Sequence, residues 1–228
     1  MSKRTSETGP EESSLTPQKR PGPAGGKRQE NRQRRTRQLS DAGLRLFLER
    51  GIGAVTIDEI VGEARVAKAS FYRYFKDKED LVSTLLRPIA EGASGALEAA
   101  EAALTRAENP EELFAAYEEL GERLAMTILG NPGAVRLYLQ EARAPGVKAR
   151  APVRALAEAI DEGAVAVTAA AHSHGLLKSF HPRVSTMAVV GASERLLLAV
   201  LRGEEVGDIA TLPNQLVSLI LDGVRAKD

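Results

Sequence analysis

Thr56 to Leu86 reads TIDEIVGEARVAKASFYRYFKDKEDLVSTLL, three helical signals within 31 residues. Thr56 followed by Glu59 is a capping box, so the spacing predicts a helix starting at Thr56 with Ile57, Ile60 and Val61 on its apolar face. A break at Ala64-Arg65-Val66 follows. Lys68 to Phe75 then predicts a second short helix that buries Phe71 and Phe75 at i, i+4 spacing. Asp77, with Asp80 three residues on, caps a third helix backed by Leu81, Leu85 and Leu86. Two short helices around a tight turn, the second carrying basic and phenolic side chains, describe a helix-turn-helix and its recognition helix.

Working outward, Leu39, Ala42, Leu46 and Phe47 form one apolar stripe of a first helix, Asn31 to Arg50, which Gly51 ends. Ahead of it, residues 1–30 are rich in Pro, Gly, Ser and charge, with Leu15 as their one leucine and no aromatic, which predicts disorder. Charge is unevenly spread. The chain is neutral overall, yet residues 1–37 hold ten Lys or Arg against four Glu, and residues 38–228 carry a net −6. Lys27, Arg28, Arg32, Arg34, Arg35 and Arg37 form either a solubilising tail or an arm reaching DNA phosphates or a minor groove.

The segment Thr56-Ile57-Asp58-Glu59-Ile60, then Ala64-Arg65-Val66, then Ser70-Phe71-Tyr72-Arg73-Tyr74-Phe75-Lys76-Asp77-Lys78-Glu79-Asp80-Leu81 resembles the DNA-binding domain of the tetracycline-repressor-like (TetR) family, from about Arg34 to Leu86. The Phe71–Leu81 core is the most specific part. Two positions depart from the family pattern. Arg65 stands where the family usually has Gly, at roughly 1 kcal/mol if left-handed. Ala67 stands where Ser or Thr usually caps the recognition helix, forgoing about 1 kcal/mol. The resemblance implies phosphate contacts from Tyr72, Tyr74, Lys78 and Thr56. Phe71 and Phe75 already fill the core stripe, so Tyr72 and Tyr74 are expected to be exposed flankers, the alternative being core aromatics. Base edges are expected to be read by Lys68, Ala69, Ser70 and Arg73, with Arg suited to guanine and Ala to a thymine methyl.

Past Arg87-Pro88 the chain turns to Ala, Leu and Glu with helical periodicity and no strand signal. Pro88 is expected to interrupt the helix leading out. Asn109-Pro110-Glu111-Glu112 starts a helix with the stripe Leu113, Phe114, Tyr117, Leu120, Leu124 and Ile128. Gly130-Asn131-Pro132-Gly133 stops it and opens a short helix reaching Arg143; Ala144 to Arg150 reads as a loop. Helices are expected from Pro152 to about His174, from His181-Pro182 through Leu201, and over Leu212 to Leu221. The fold class is therefore all-α: a three-helix helix-turn-helix domain at 31–86, behind the basic arm 1–30, and a helical ligand-binding and dimerisation domain at 87–228.

In the last two helices apolar residues fall on almost every face, among them Val189, Val190, Leu196, Leu197, Leu198, Val200 and Leu201. Such a surface must be covered, and the resemblance implies a homodimer joined through a four-helix bundle and reading a palindromic operator of double-stranded DNA. Phe114, Tyr117, Arg123, Met126, Tyr138 and His172 are candidate effector-binding residues, with Phe180 a further aromatic; the aromatics are alternatively plain core. An Ala-rich lining suits a hydrophobic effector, and Arg123 and Arg136 leave room for an acid or acyl group. His172, His174 and His181 offer too few convergent ligands for a metal, so neither metal nor cofactor is expected. No nucleophile elbow, Walker loop, dinucleotide fingerprint or zinc-protease motif is present, so an enzyme is not expected. With no cysteine, no secretory pattern and no run of about 18 apolar residues, the expectation is a cytoplasmic regulator that spans no membrane. The alternative is a DNA-binding protein whose C-terminal bundle takes a protein partner.

Overall fold

A computed structural model describes residues 26–173 and 181–208, with 211, 212, 215, 216, 218 and 219 beyond them; of Lys27 it describes the backbone. The described chain is α-helical: α1 Lys27–Arg50, α2 Ile57–Glu63, α3 Lys68–Tyr74, α4 Lys78–Arg106, α5 Pro110–Gly130, α6 Pro132–Glu141, α7 Ala151–His172 and α8 Pro182–Leu201. A single 3-10 turn, Lys148–Arg150, precedes α7. The expected last helix falls partly outside the described residues; residues 212, 215, 216, 218 and 219 are helical.

Local chemistry starts most of these helices where the sequence marks them. Thr56 Oγ1 accepts the Glu59 N–H while Glu59 Oε2 accepts the Thr56 N–H at 2.8 Å, the reciprocal capping box. Asp77 accepts from Asp80 N–H and Asn109 from Glu112 N–H, both at 2.9 Å. His181 caps α8 through Nδ1, which accepts the Arg183 N–H at 3.3 Å. Gly51 ends α1 at φ 80, a left-handed backbone that glycine adopts without a Cβ clash.

Two boundaries differ from expectation. Helix α1 begins at Lys27, four residues early, because the Lys, Arg, Gln and Glu that fill its first turns are good helix formers. The basic side chains read as an arm thus stand along a helix, and the expected disordered segment 1–25 lies outside the described residues. Pro88 sits inside α4 and does not end it. A proline removes one backbone bond, and the packing along a 29-residue helix outweighs that loss.

Helix α4 is the spine of the molecule. One apolar core joins Leu39, Phe47, Ile60, Phe71 and Phe75 of the first three helices to Leu81, Leu86 and Ile89 of α4, to Leu137 and Tyr138 of α6 and to Val153 and Leu156 of α7. A second core, farther along α4, gathers Leu97, Leu104, Leu113, Ala116 and Val167, with Phe114 and Tyr117 packed against it. The helix-turn-helix unit and the helical body therefore share buried surface and are not merely tethered.

Helix α8 is long and apolar enough to cross a membrane by length and composition, with mean hydropathy 1.6, although Arg183, Glu194 and Arg195 interrupt it and no 18 consecutive residues are apolar. Leu197, Leu198 and Leu201 pack inward against the first core. Val184 and Met187 stay 62% and 68% exposed. Glu194 of α8 accepts from Tyr138 Oη and from Arg143 Nη2, both at 2.9 Å, so a polar cluster fastens this helix to α6 and the segment after it.

Candidate nucleic-acid interface

The recognition helix is short because Phe75 leaves helical geometry at its C-cap, after seven residues of α3. Phe71 and Phe75 turn inward, with ring centroids 5.5 Å apart. The opposite face is left to Lys68, Ala69, Tyr72 and Arg73, all exposed, with Ser70 and Tyr74 half-buried beside them. Tyr72 is 54% exposed and packs its ring edge-on against Phe71, centroids 5.6 Å apart, which orients it without burying its hydroxyl. Five of the eight residues expected to face DNA thus share the outer side of α3 or its margin, whereas Tyr74, expected to be an exposed flanker like Tyr72, is half-buried and packs against the first core. No side chain caps α3 at Ala67, and Arg65 in the turn adopts φ 51, the left-handed conformation anticipated from its place in the motif.

The other two expected contacts are already engaged within the chain. Thr56 is exposed, but its hydroxyl donates to Glu59 Oε2 at 2.8 Å, inside the capping box. Those hydrogen bonds from Thr56, together with Arg50, hold the Glu59 carboxyl down at about 2. Lys78 Nζ donates to the carbonyls of Ile52 at 2.7 Å and Val55 at 2.6 Å, half-buried below the turn that leads into α2. Burial, and then the nearby Arg150 guanidinium, lower its pKa from the usual lysine range. Of its three ammonium hydrogens, two are spoken for and one remains for an outside anion.

Several pairings around this surface were missed. Lys68 Nζ lies 2.7 Å from Asp58 Oδ1, an ion pair between α3 and α2 whose spacing of ten residues is not a helical repeat. Arg45 pairs with Glu63, and Gln38 Nε2 donates to the Ala64 carbonyl at 2.6 Å, tying α1 to the end of α2. Arg28, Arg32, Arg34 and Arg37 are exposed on α1; Arg35 is half-buried, donating to Gln38 Oε1 at 2.9 Å.

The expected effector residues do not converge. Phe114 and Tyr117 pack on the second core and Tyr138 belongs to the first. Burial alone pushes the Tyr117 phenol up to about 12; burial and then Glu194 raise that of Tyr138. Arg123 and Met126 are exposed on α5, Arg123 paired with Glu119 at 2.6 Å, and His172 is half-buried in the last turn of α7. Side chains spaced along different helices are legible as apolar or polar, but which of them meet depends on helix packing. Among the described residues no group of three His, Cys, Asp or Glu side chains is placed to hold a metal; His174 and Phe180 lie outside them.

Residues 39–85 match the bacterial regulatory proteins of the tetR family. The transposon Tn10 TetC protein of Escherichia coli is 46% identical over 55 residues, which is 24% of this chain and 28% of that one. The chain thus spans under a third of the length of this curated relative. Over the whole fold it is similar to the TetR-family regulator PfmR of Thermus thermophilus, with TM-score 0.61, 21% identity and coverage of 84% and 97% of the two chains. It is likewise similar to the regulator FadR of Bacillus subtilis, solved with stearoyl-CoA, with TM-score 0.59, 19% identity and coverage of 83% and 99%. Residues 39–85 thus match the DNA-binding segment of the tetR family of bacterial regulatory proteins, and the described chain shares its all-helical fold with solved proteins of that kind.

Proposed function

We propose that the protein is a cytoplasmic, homodimeric repressor that binds a palindromic operator and is released by a small molecule. The division of labour is that of the sequence reading, with 31–86 for DNA and 87–228 for effector and partner subunit. One observation carries the reading: α3 buries Phe71 and Phe75 and presents Lys68, Ala69, Tyr72 and Arg73 to solvent on its other face. Arg73 and Lys68 supply base-edge donors, Tyr72 and Tyr74 grip phosphates, and Lys78 offers its remaining ammonium hydrogen. Val184 and Met187 on α8 mark the surface that a second copy covers. Selection from a random duplex pool tests it: enrichment of a two-fold symmetric site supports the reading, and enrichment of no sequence contradicts it.

FadR of Bacillus subtilis holds stearoyl-CoA, which makes a long acyl compound the first effector to try. The second reading, a protein partner in place of a small molecule, draws on Met126 and Leu129 of α5, both exposed. A rise in melting temperature with stearoyl-CoA, together with loss of the duplex, favours the small molecule. No shift with a panel of acyl compounds favours the protein partner.

A further inference from the structure

The inner side of the helix-turn-helix unit rests on α6, and the contact is polar as well as apolar. Gly133, in the first turn of α6, lies so close to α1 that a Cβ there would come 2.9 Å from Leu44 Cδ2. Two turns further on, Gln140 Nε2 donates to the Phe47 carbonyl at 3.2 Å. Glu141, the last residue of α6, is 3% exposed. Its Oε1 accepts the Ile52 N–H at 3.2 Å, and its Oε2 is paired with Arg150 Nε. Arg150 in turn donates Nη1 to the Pro145 carbonyl at 2.6 Å.

Ile52 is therefore held from both sides. Its N–H is bound by Glu141, and its carbonyl is bound by Lys78 Nζ at 2.7 Å. A buried carboxylate needs partners for its charge, and Glu141 draws them from two places, the turn between α1 and α2 and the segment between α6 and α7. Lys78 feels both charged members of the pair: Arg150 lowers its pKa and Glu141 raises it. With Arg150 gone, Glu141 would be left with Lys78 as a neighbouring cation, and the ammonium would be drawn inward from the DNA side.

We propose that Glu141 and Arg150 are positioning residues for DNA binding: as an ion pair they hold the Gly51–Val55 turn, whose carbonyls place the half-buried Lys78 ammonium with its third hydrogen left for an outside anion. This rests on the DNA-binding reading above. It also supplies a route from α6 through the Gly51–Val55 turn to Lys78, the first residue of α4, since any shift of the last turn of α6 carries Glu141 with it.

The test is a salt titration of binding to one mixed-sequence duplex. Arg150→Met should weaken binding about tenfold and make the salt slope shallower by about one, as expected for loss of one phosphate contact. Glu141→Gln combined with Arg150→Met removes the carboxylate that competes for Lys78, so the double variant should recover the wild-type slope. An unchanged slope in Arg150→Met, or a double variant as shallow as the single, overturns the proposal. If Arg150→Met shows no cooperative melt, the double variant decides alone: the wild-type slope is expected, and a shallower one refutes it. Failure of the wild type to bind any duplex would instead remove the DNA-binding reading, and this inference with it.

Discussion

Lys68 Nζ stands 2.7 Å from Asp58 Oδ1, so a cation on the outward face of the recognition helix is held by a carboxylate of the helix before it. Both side chains are more than half exposed, and the Asp58 hydrogen bond raises the Lys68 pKa from its usual value. An exposed pair of this kind, screened by solvent, contributes little to folding. In the proposed complex its larger effect is on binding, because a Lys68 that meets a base or a phosphate gives up Asp58.

Asp58→Asn should therefore tighten binding to any duplex and steepen its salt dependence by up to about one unit, with stability little changed. Fluorescence anisotropy across a salt series checks this. Weaker binding would show that Asp58 orients Lys68 for contact and does not compete for it.

Arg65→Gly should raise stability by up to about 1 kcal/mol, because glycine takes the observed φ of 51 without the Cβ clash and this gain is only partly offset by unfolded-chain entropy. Denaturant unfolding with an unchanged m-value measures it. A lower midpoint would mean that the Arg65 side chain contributes more than its backbone costs.

These residues also show what a sequence conveys. Arg65 was legible as a left-handed position because it stands where the TetR-like pattern usually has glycine, and the caps at Thr56, Asp77 and Asn109 were legible because their partners lie three residues away. The inward Phe71 and Phe75 followed from helical spacing. Pro88 misled, because a local rule about helix breaking met a helix stabilised along its length by packing. Glu141 was unreadable. Its partner Ile52 lies 89 residues away, and nothing local distinguishes Glu141 from the many solvated glutamates of the body. For the same reason the proposed effector residues, chosen by type, fall into two cores and a surface.

Glu59 links stability to acid. Its folded pKa of about 2 is below its ordinary 4.5, so its contribution is present above pH 4.5 and is lost as pH falls through 2. Thr56→Ala removes the side chain that bonds this carboxylate, should cost about 1 kcal/mol at neutral pH, and should flatten the acid limb. Thermal melts of both proteins at a series of pH values would show an unchanged limb if the capping box were irrelevant.

Tyr117 acts at the alkaline end. Its folded pKa of about 12 is above its ordinary 10, so its contribution is complete below pH 10 and disappears as pH rises through 12. Tyr117→Phe should melt less steeply with pH in that window, and phenolate absorbance should show two tyrosines titrating late, Tyr117 and Tyr138. Four tyrosines are present, so the Tyr117→Phe difference spectrum makes the assignment.

The central claim is that two copies, joined through the exposed face of α8, read one symmetric DNA site. Sedimentation of the protein with a duplex carrying the selected site measures this most directly. Leu198 is half-buried against the core, so Met187, 68% exposed on the same helix, is the cleaner place to break the contact. Two or another even number of chains per duplex are predicted for the wild type, and for Met187→Arg a folded monomer that has lost tight binding although every DNA-facing residue remains. A monomeric wild type that binds the duplex tightly, or a Met187→Arg monomer that binds as the wild type does, would contradict the account.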